Sequence, residues 1–183
     1  EANIPNSYYF EVGEHKYLGL STDDQYQIKL NGLDIGMFTL EIQKTMNEEV
    51  LESFIYTDIP VALNTAGTLA LNDNGSTLML DIEGDGDVDF LINPGSPAPP
   101  DIFISVLITA VKQLSLPKGI EQSLLSKLEN ASSSLRRENS YSAIGQLHSF
   151  VRELEAQSGK QIPEHEIKLL LEITDAVLAK LKQ

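Results

Sequence analysis

Pro94-Gly95-Ser96-Pro97-Ala98-Pro99-Pro100 divides the chain more sharply than any other feature. Proline lacks an N–H and biases the residue before it away from helix, so this run can be neither a helix interior nor a central strand. It reads as a semi-rigid linker over residues 95–100. The hydrophobic period changes across it, and so does the charge. Residues 1–94 carry three basic side chains (Lys16, Lys29 and Lys44) against 17 acidic ones. Residues 95–183 carry ten of each, so the whole net charge of −14 belongs to the first half. Two different domains are therefore expected, 1–94 and 101–183.

Before the linker the apolar residues alternate with polar ones. Tyr8-Tyr9-Phe10-Glu11-Val12, Tyr26-Gln27-Ile28-Lys29-Leu30 and Phe38-Thr39-Leu40-Glu41-Ile42 each approximate a period of two, the signature of a strand with one face on a core. Val50 to Tyr56, Thr68 to Leu71, Thr77 to Leu80 and Val88 to Ile92 are further strand candidates, and Asn74-Gly75 suits a tight hairpin turn. About seven short strands predict an antiparallel β-sandwich.

After the linker the period lengthens. Leu124, Leu128, Ala131 and Leu135 form one helical stripe. Ile144, Leu147, Val151 and Leu154 form a second, and Ile167, Leu170, Val177 and Leu181 belong to a third. The apolar run Ile102 to Val111 reads as a buried helix, too short to span a membrane. Asn139 or Ser140 suits a helix N-cap, Pro163 a first helical turn, and Gly159 a left-handed C-terminal stop. A bundle of three to four helices is predicted.

Within that half, Leu128-Glu129-Asn130-Ala131, Leu135, Glu138-Asn139, Ala143, Leu147, Phe150-Val151, Glu155-Ala156-Gln157, Gly159-Lys160 and Ile162 resemble the FIMAH type of domain, over residues 115 to 183. Where that family commonly has a glycine before the asparagine, this chain has Glu138. The resemblance implies a C-terminal module of a secreted bacterial multidomain protein. It implies no catalytic residues.

One segment carries chemistry. Asp81-Ile82-Glu83-Gly84-Asp85-Gly86-Asp87-Val88-Asp89 places acidic groups at alternate positions, with glycine at the sixth and an aliphatic residue at the eighth. Calcium takes six to eight oxygen ligands, and this spacing can wrap alternate side chains around one ion. Asp81, Glu83, Asp85 and Asp89 are the candidate side-chain ligands, Asp87 would contribute its main-chain carbonyl, and Val88 is expected to anchor the loop to the core. Asn93 stands at the twelfth position, where a helical EF-hand needs a bidentate carboxylate, so a calcium loop between strands is expected instead. The alternative is an acidic turn that binds nothing.

Other chemistries find little support. The chain has no cysteine, which removes disulfides, thiolate zinc sites and cysteine nucleophiles. His15, His148 and His165 show no ligand spacing, and no nucleophile elbow or phosphate loop is present. An acidic chain whose one basic pair is Arg136-Arg137 suits neither nucleic acid nor membrane insertion. Paired carboxylates such as Asp23-Asp24 and Glu48-Glu49 read as solvated turns. Aromatic residues Tyr8, Tyr9, Phe10, Tyr17, Tyr26, Phe38, Phe54 and Tyr56 concentrate before the linker, and an exposed set of them could bind a glycan. Glu1 in place of methionine suggests a processed or excised piece. The expectation is a non-catalytic accessory region of a secreted or cell-surface bacterial protein, stabilised by Ca2+. Its partners would be neighbouring domains of a larger protein or another surface protein, with a carbohydrate-binding module as the alternative.

Overall fold

The computed structural model describes residues 7–13, 15–21, 26–71 and 77–182. Strands come first and helices follow, with the change at the proline-rich run. Asn74-Gly75 and Asp23-Asp24 lie outside the described residues.

Among the described residues eight strands pair in three antiparallel sheets. β1 (Tyr8–Val12) and β2 (His15–Gly19) form a hairpin. β3 (Gln27–Asn31), β6 (Ala66–Ala70), β7 (Leu78–Asp81) and β8 (Phe90–Ile92) form a four-stranded sheet in the order β3-β6-β7-β8. β4 (Gly36–Met46) and β5 (Glu49–Val61) form a long ribbon. Its turn places both Asn47 and Glu48 at positive φ, 50° and 68°, which matches the twist of a two-residue hairpin connection. Leu40 faces Tyr56 and Ile42 faces Phe54 across the ribbon. These pairs build its inward face, while Glu41, Gln43 and Ser53 hydrogen-bond among themselves on the outer one.

β2 is a strand the sequence reading missed. Gly13 takes the turn at φ 61°, and pairing resumes two residues later at His15. His-Lys-Tyr-Leu-Gly lacks the alternation that identified the other strands, so only its partner β1 reveals it.

The helices are α1 (Pro100–Gln113), α2 (Lys118–Arg136), α3 (Ser140–Gln157) and α4 (Glu164–Leu181). Pro100 opens α1 at a position where a missing N–H is harmless. Asn139 caps α3, its side chain accepting a hydrogen bond from the Ser142 N–H. Gly159, at φ 65°, follows the end of α3. Glu138 also adopts a left-handed conformation, φ 57°, where a side chain is strained. The stripe on α3 is rotated slightly from expectation: Ala143, Leu147, Phe150 and Leu154 are buried, and Ile144 and Val151 flank them.

The core runs through both halves. Tyr56 and Ile59 of β5, Leu69 of β6, Leu78 and Leu80 of β7 and Ile92 of β8 join a buried cluster that continues through all four helices. At its centre is α1, which buries Ile102, Phe103, Ile104, Val106, Leu107, Ala110 and Val111, packs against α2, α4 and β5, and leaves one more open stripe along Asp101, Ser105, Ile108 and Lys112. The proline-rich run is held against the strands, since the Gly95 N–H donates to the Ile55 carbonyl at 2.8 Å and Ala98 is buried.

Candidate metal centre

The acidic segment joins β7 to β8. Leu78 and Leu80 alternate into the core, and Ile82 continues that alternation one residue past the strand. Asp81 lies between them and is only 8% exposed. Its carboxylate organises the turn. One oxygen, Oδ1, accepts from the N–H groups of Gly84 at 2.7 Å and Asp85 at 3.2 Å, and Oδ2 accepts from Gly86 at 2.8 Å. Hydrogen bonds to an ionised acceptor are stronger than neutral ones, and they satisfy a charge held near the core.

Two glycines let the chain follow this path. Gly84 and Gly86 have φ of 72° and 103°, conformations that strain any side chain. At Gly84 a Cβ would also approach the Asn64 carbonyl oxygen to 2.6 Å. Asp89 closes the base of the loop: its N–H donates to the Leu80 carbonyl and its Oδ2 accepts from the Ile82 N–H, both at 2.8 Å. Buried Thr65 ties the loop to the preceding strands by donating to the Ile82 carbonyl at 3.1 Å and accepting from the Ala62 N–H.

The remaining candidate ligands point elsewhere. Asp85 accepts from the Asp87 N–H at 3.0 Å, and both are exposed. Glu83 reaches Lys112 of α1 at 3.3 Å, with both side chains about half exposed. Among the described residues no three of Asp, Glu, His or Cys are gathered closely enough to hold a metal ion. The donor chemistry, carboxylate and carbonyl oxygen throughout, is that of a hard cation. In the structure those oxygens are directed at backbone N–H groups and at Lys112. Clefts of about 240 and 260 Å³ flank the loop, one between Glu83, Asp89 and α1, the other beside Asp81 and Gly86.

The anchoring residue differs from expectation. Val88 is 53% exposed, and Ile82, at 1%, fixes the loop to the core. The alternation of β7 carries on through Ile82, whereas Val88 precedes β8 and has no strand partner to turn it inward. Asn93 accepts a hydrogen bond from Thr77 across the strand ends at 2.9 Å. It staples the hairpin rather than facing the acidic groups.

The histidines stay apart. His15 lies 6.4 Å from the Tyr17 ring, His148 is exposed, and His165 sits 3.8 Å from Glu166 at the start of α4. A polar cluster absent from the sequence reading joins α2 to α3: Lys127 pairs with Glu153 at 2.5 Å, and Ser123 donates to the same carboxylate oxygen at 2.8 Å. Glu153 lies 26 and 30 residues from Lys127 and Ser123, so only the helix packing brings it to the other two. Of the aromatic residues, Tyr8, Tyr9, Phe10 and Tyr17 are exposed, whereas Tyr56 is fully buried. Tyr9 donates a hydrogen bond to Glu11, and chiefly this raises its pKa above the ordinary tyrosine value. No helix among the described residues is long and apolar enough to cross a membrane. Neither the models of known protein families nor the curated proteins contain a match to this chain.

Proposed function

We propose that the chain is a non-catalytic accessory or interaction region of a secreted or cell-surface bacterial protein. In this reading a β-sandwich stabilised by calcium precedes a FIMAH-like helical bundle that docks or spaces a neighbouring domain. The observation that carries it is the Asp81 carboxylate, which gathers three successive loop N–H groups and leaves Glu83, Asp85, Asp87 and Asp89 on one short turn. Four further carboxylates confined there repel one another, and a divalent cation relieves that repulsion. Calcium would be held by the side chains of Asp81, Glu83, Asp85 and Asp89 and by the Asp87 carbonyl. Its role is structural, and Lys112 is its competitor for Glu83.

Thermal unfolding in about 5 mM calcium and then in excess chelator tests this, in the range where extracellular modules bind. At ten times the dissociation constant the ion stabilises the fold by about 1.4 kcal/mol. A rise of a few degrees that is lost in Asp85→Ala supports the site; superimposable curves reduce the loop to an acidic turn.

A second reading, a carbohydrate-binding module, draws on the exposed tyrosines of β1 and β2. Glycan-dependent shifts of their NMR signals would favour it. Against it, the Phe10 and Tyr17 rings stack on one another at 4.7 Å, which occupies one face of each.

A further inference from the structure

Five polar side chains among the described residues are buried, and four of them are hydrogen-bonded. Thr65 donates to the Ile82 carbonyl, Ser134 to the Asn130 carbonyl and Thr174 to the Leu170 carbonyl, and Asp81 accepts from N–H groups of its loop. Thr109 of α1, 6% exposed, makes no hydrogen bond through its hydroxyl to any described residue. A buried hydroxyl without a partner is costly, and valine would fill the same volume without that cost. Thr109 lines the cleft of about 240 Å³ between the acidic loop and α1. Ser105, one turn earlier on the same helix, lines it too, and Glu83 and Asp89 line it from the loop.

We propose that this cleft binds an aliphatic primary ammonium, that of a free diamine or of a lysine side chain on another protein. Such a group has three N–H donors and no acceptor. Glu83, Asp89 and Thr109 offer an acceptor for each: Asp89 gives only its Oδ2 to the Ile82 N–H, which leaves Oδ1. Phe90 and Ile108 supply an apolar wall against which a methylene stem can lie. Glu83 already takes one ammonium. Lys112, one turn beyond Ile108 on α1, reaches it at 3.3 Å without lining the cleft itself.

The lining favours an ammonium over a metal ion. It holds two carboxylates, and among the described residues no three metal-ligating side chains gather. Calcium takes six to eight oxygens and has no use for an apolar wall. The proposal does not rest on calcium in the loop. The two ligands would share Glu83 and Asp89, but Thr109 serves only the ammonium and Asp85 only calcium, so each reading can fail alone.

Amide NMR shifts of the full chain, in chelator and about 0.15 M salt, test this with 1,5-diaminopentane and with Nα-acetyl-lysine amide. Shifts around Glu83, Asp89, Ser105 and Thr109 that saturate with a dissociation constant of about 1 mM are expected. Tighter binding of the diamine identifies a free amine as the ligand, and tighter binding of the lysine amide a protein side chain. Thr109→Val and Glu83→Gln are each expected to weaken binding at least about fivefold, whereas Asp85→Ala leaves it unchanged. Tetramethylammonium has the charge without the N–H donors and is expected to shift none of these amides. Equal shifts with it would report only the attraction of a chain of charge −14 for cations, and overturn the proposal. No saturation by either amine up to about 20 mM overturns it too. So does an unchanged affinity in Thr109→Val or in Glu83→Gln, an exposed position where the substitution leaves the fold intact. A loss in Asp85→Ala equal to that in Glu83→Gln places the ammonium in the loop, and the cleft site is then wrong.

Discussion

The two halves of the chain are nearly equal in length and bury themselves by different means. Each helix turns a stripe toward other helices: α2 and α4 pack on α1, and α3 packs on α2 and α4. Among the described residues the strands form three small sheets, two of them two-stranded. A two-stranded ribbon has two faces and cannot cover either one alone. The β4–β5 ribbon solves this at its base, where it meets α1 and α4, and Tyr56 and Ile59 are fully buried there. The β1–β2 hairpin does not, and its aromatic residues remain exposed. Interior packing in the first half is thus borrowed from the second.

The strongest way to break this comparison is to hollow out the shared element. Phe103 of α1 is fully buried, with the Lys180 ammonium 5.2 Å from its ring centre. Phe103→Ala is expected to cost about 3–5 kcal/mol. Far-UV circular dichroism follows the helices. Tyrosine fluorescence follows the strands, because Tyr141 alone of the six tyrosines lies beyond the linker. The two signals should fall together in one transition. A helical transition that moves while the tyrosine transition stays would show two independent domains.

A smaller effect tests whether the acidic loop is built around Asp81. Asp81→Ala strands three N–H groups that the carboxylate now accepts and should cost about 2 kcal/mol in urea unfolding. Asp85→Ala, which removes one exposed acceptor, should cost less than about 0.5 kcal/mol without calcium. Equal losses would mean that the turn does not depend on its buried carboxylate.

Glu138→Gly sharpens the helical side. It relieves a left-handed residue between α2 and α3 and should stabilise the chain by about 0.5–1 kcal/mol, seen as a rise in Tm. No gain would show that the connection tolerates its side chain without strain. The smallest effect concerns the link between halves at Lys112 and Glu83. An exposed pair contributes little, so Lys112→Ala should change stability by less than about 0.5 kcal/mol. By calorimetric titration it should tighten calcium binding, and an unchanged affinity would remove Glu83 from the proposed ligand set.

The order of elements was legible because periodicity is local. Seven of the described strands and α2 to α4 announce themselves through spacings of two or of three to four residues, α1 through its apolar run, and Asn139 through its capping chemistry. β2 did not, because five residues without alternation carry no strand signal until β1 lies beside them. The acidic loop was legible as composition and spacing. The direction of its carboxylates was not: Asp81 and Asp89 accept from N–H groups that converge on them only once the two glycines have turned the chain. Val88 shows the same limit, since an aliphatic residue in a turn is drawn inward only if a strand positions it.

The sequence by itself determined which segments are helices and, β2 apart, which are strands, where one regime gives way to the other, and that all the net charge lies on the strand side. These follow from contacts a few residues apart and from simple counting. Only the tertiary structure decided that α1 serves as the common interior of both halves, that Ile82 rather than Val88 anchors the acidic loop, and that one aromatic hairpin is left outside the core. Those outcomes depend on which distant surfaces meet. An apolar face states that it must be covered but not by what, because burial is non-directional and rewards any surface that excludes water.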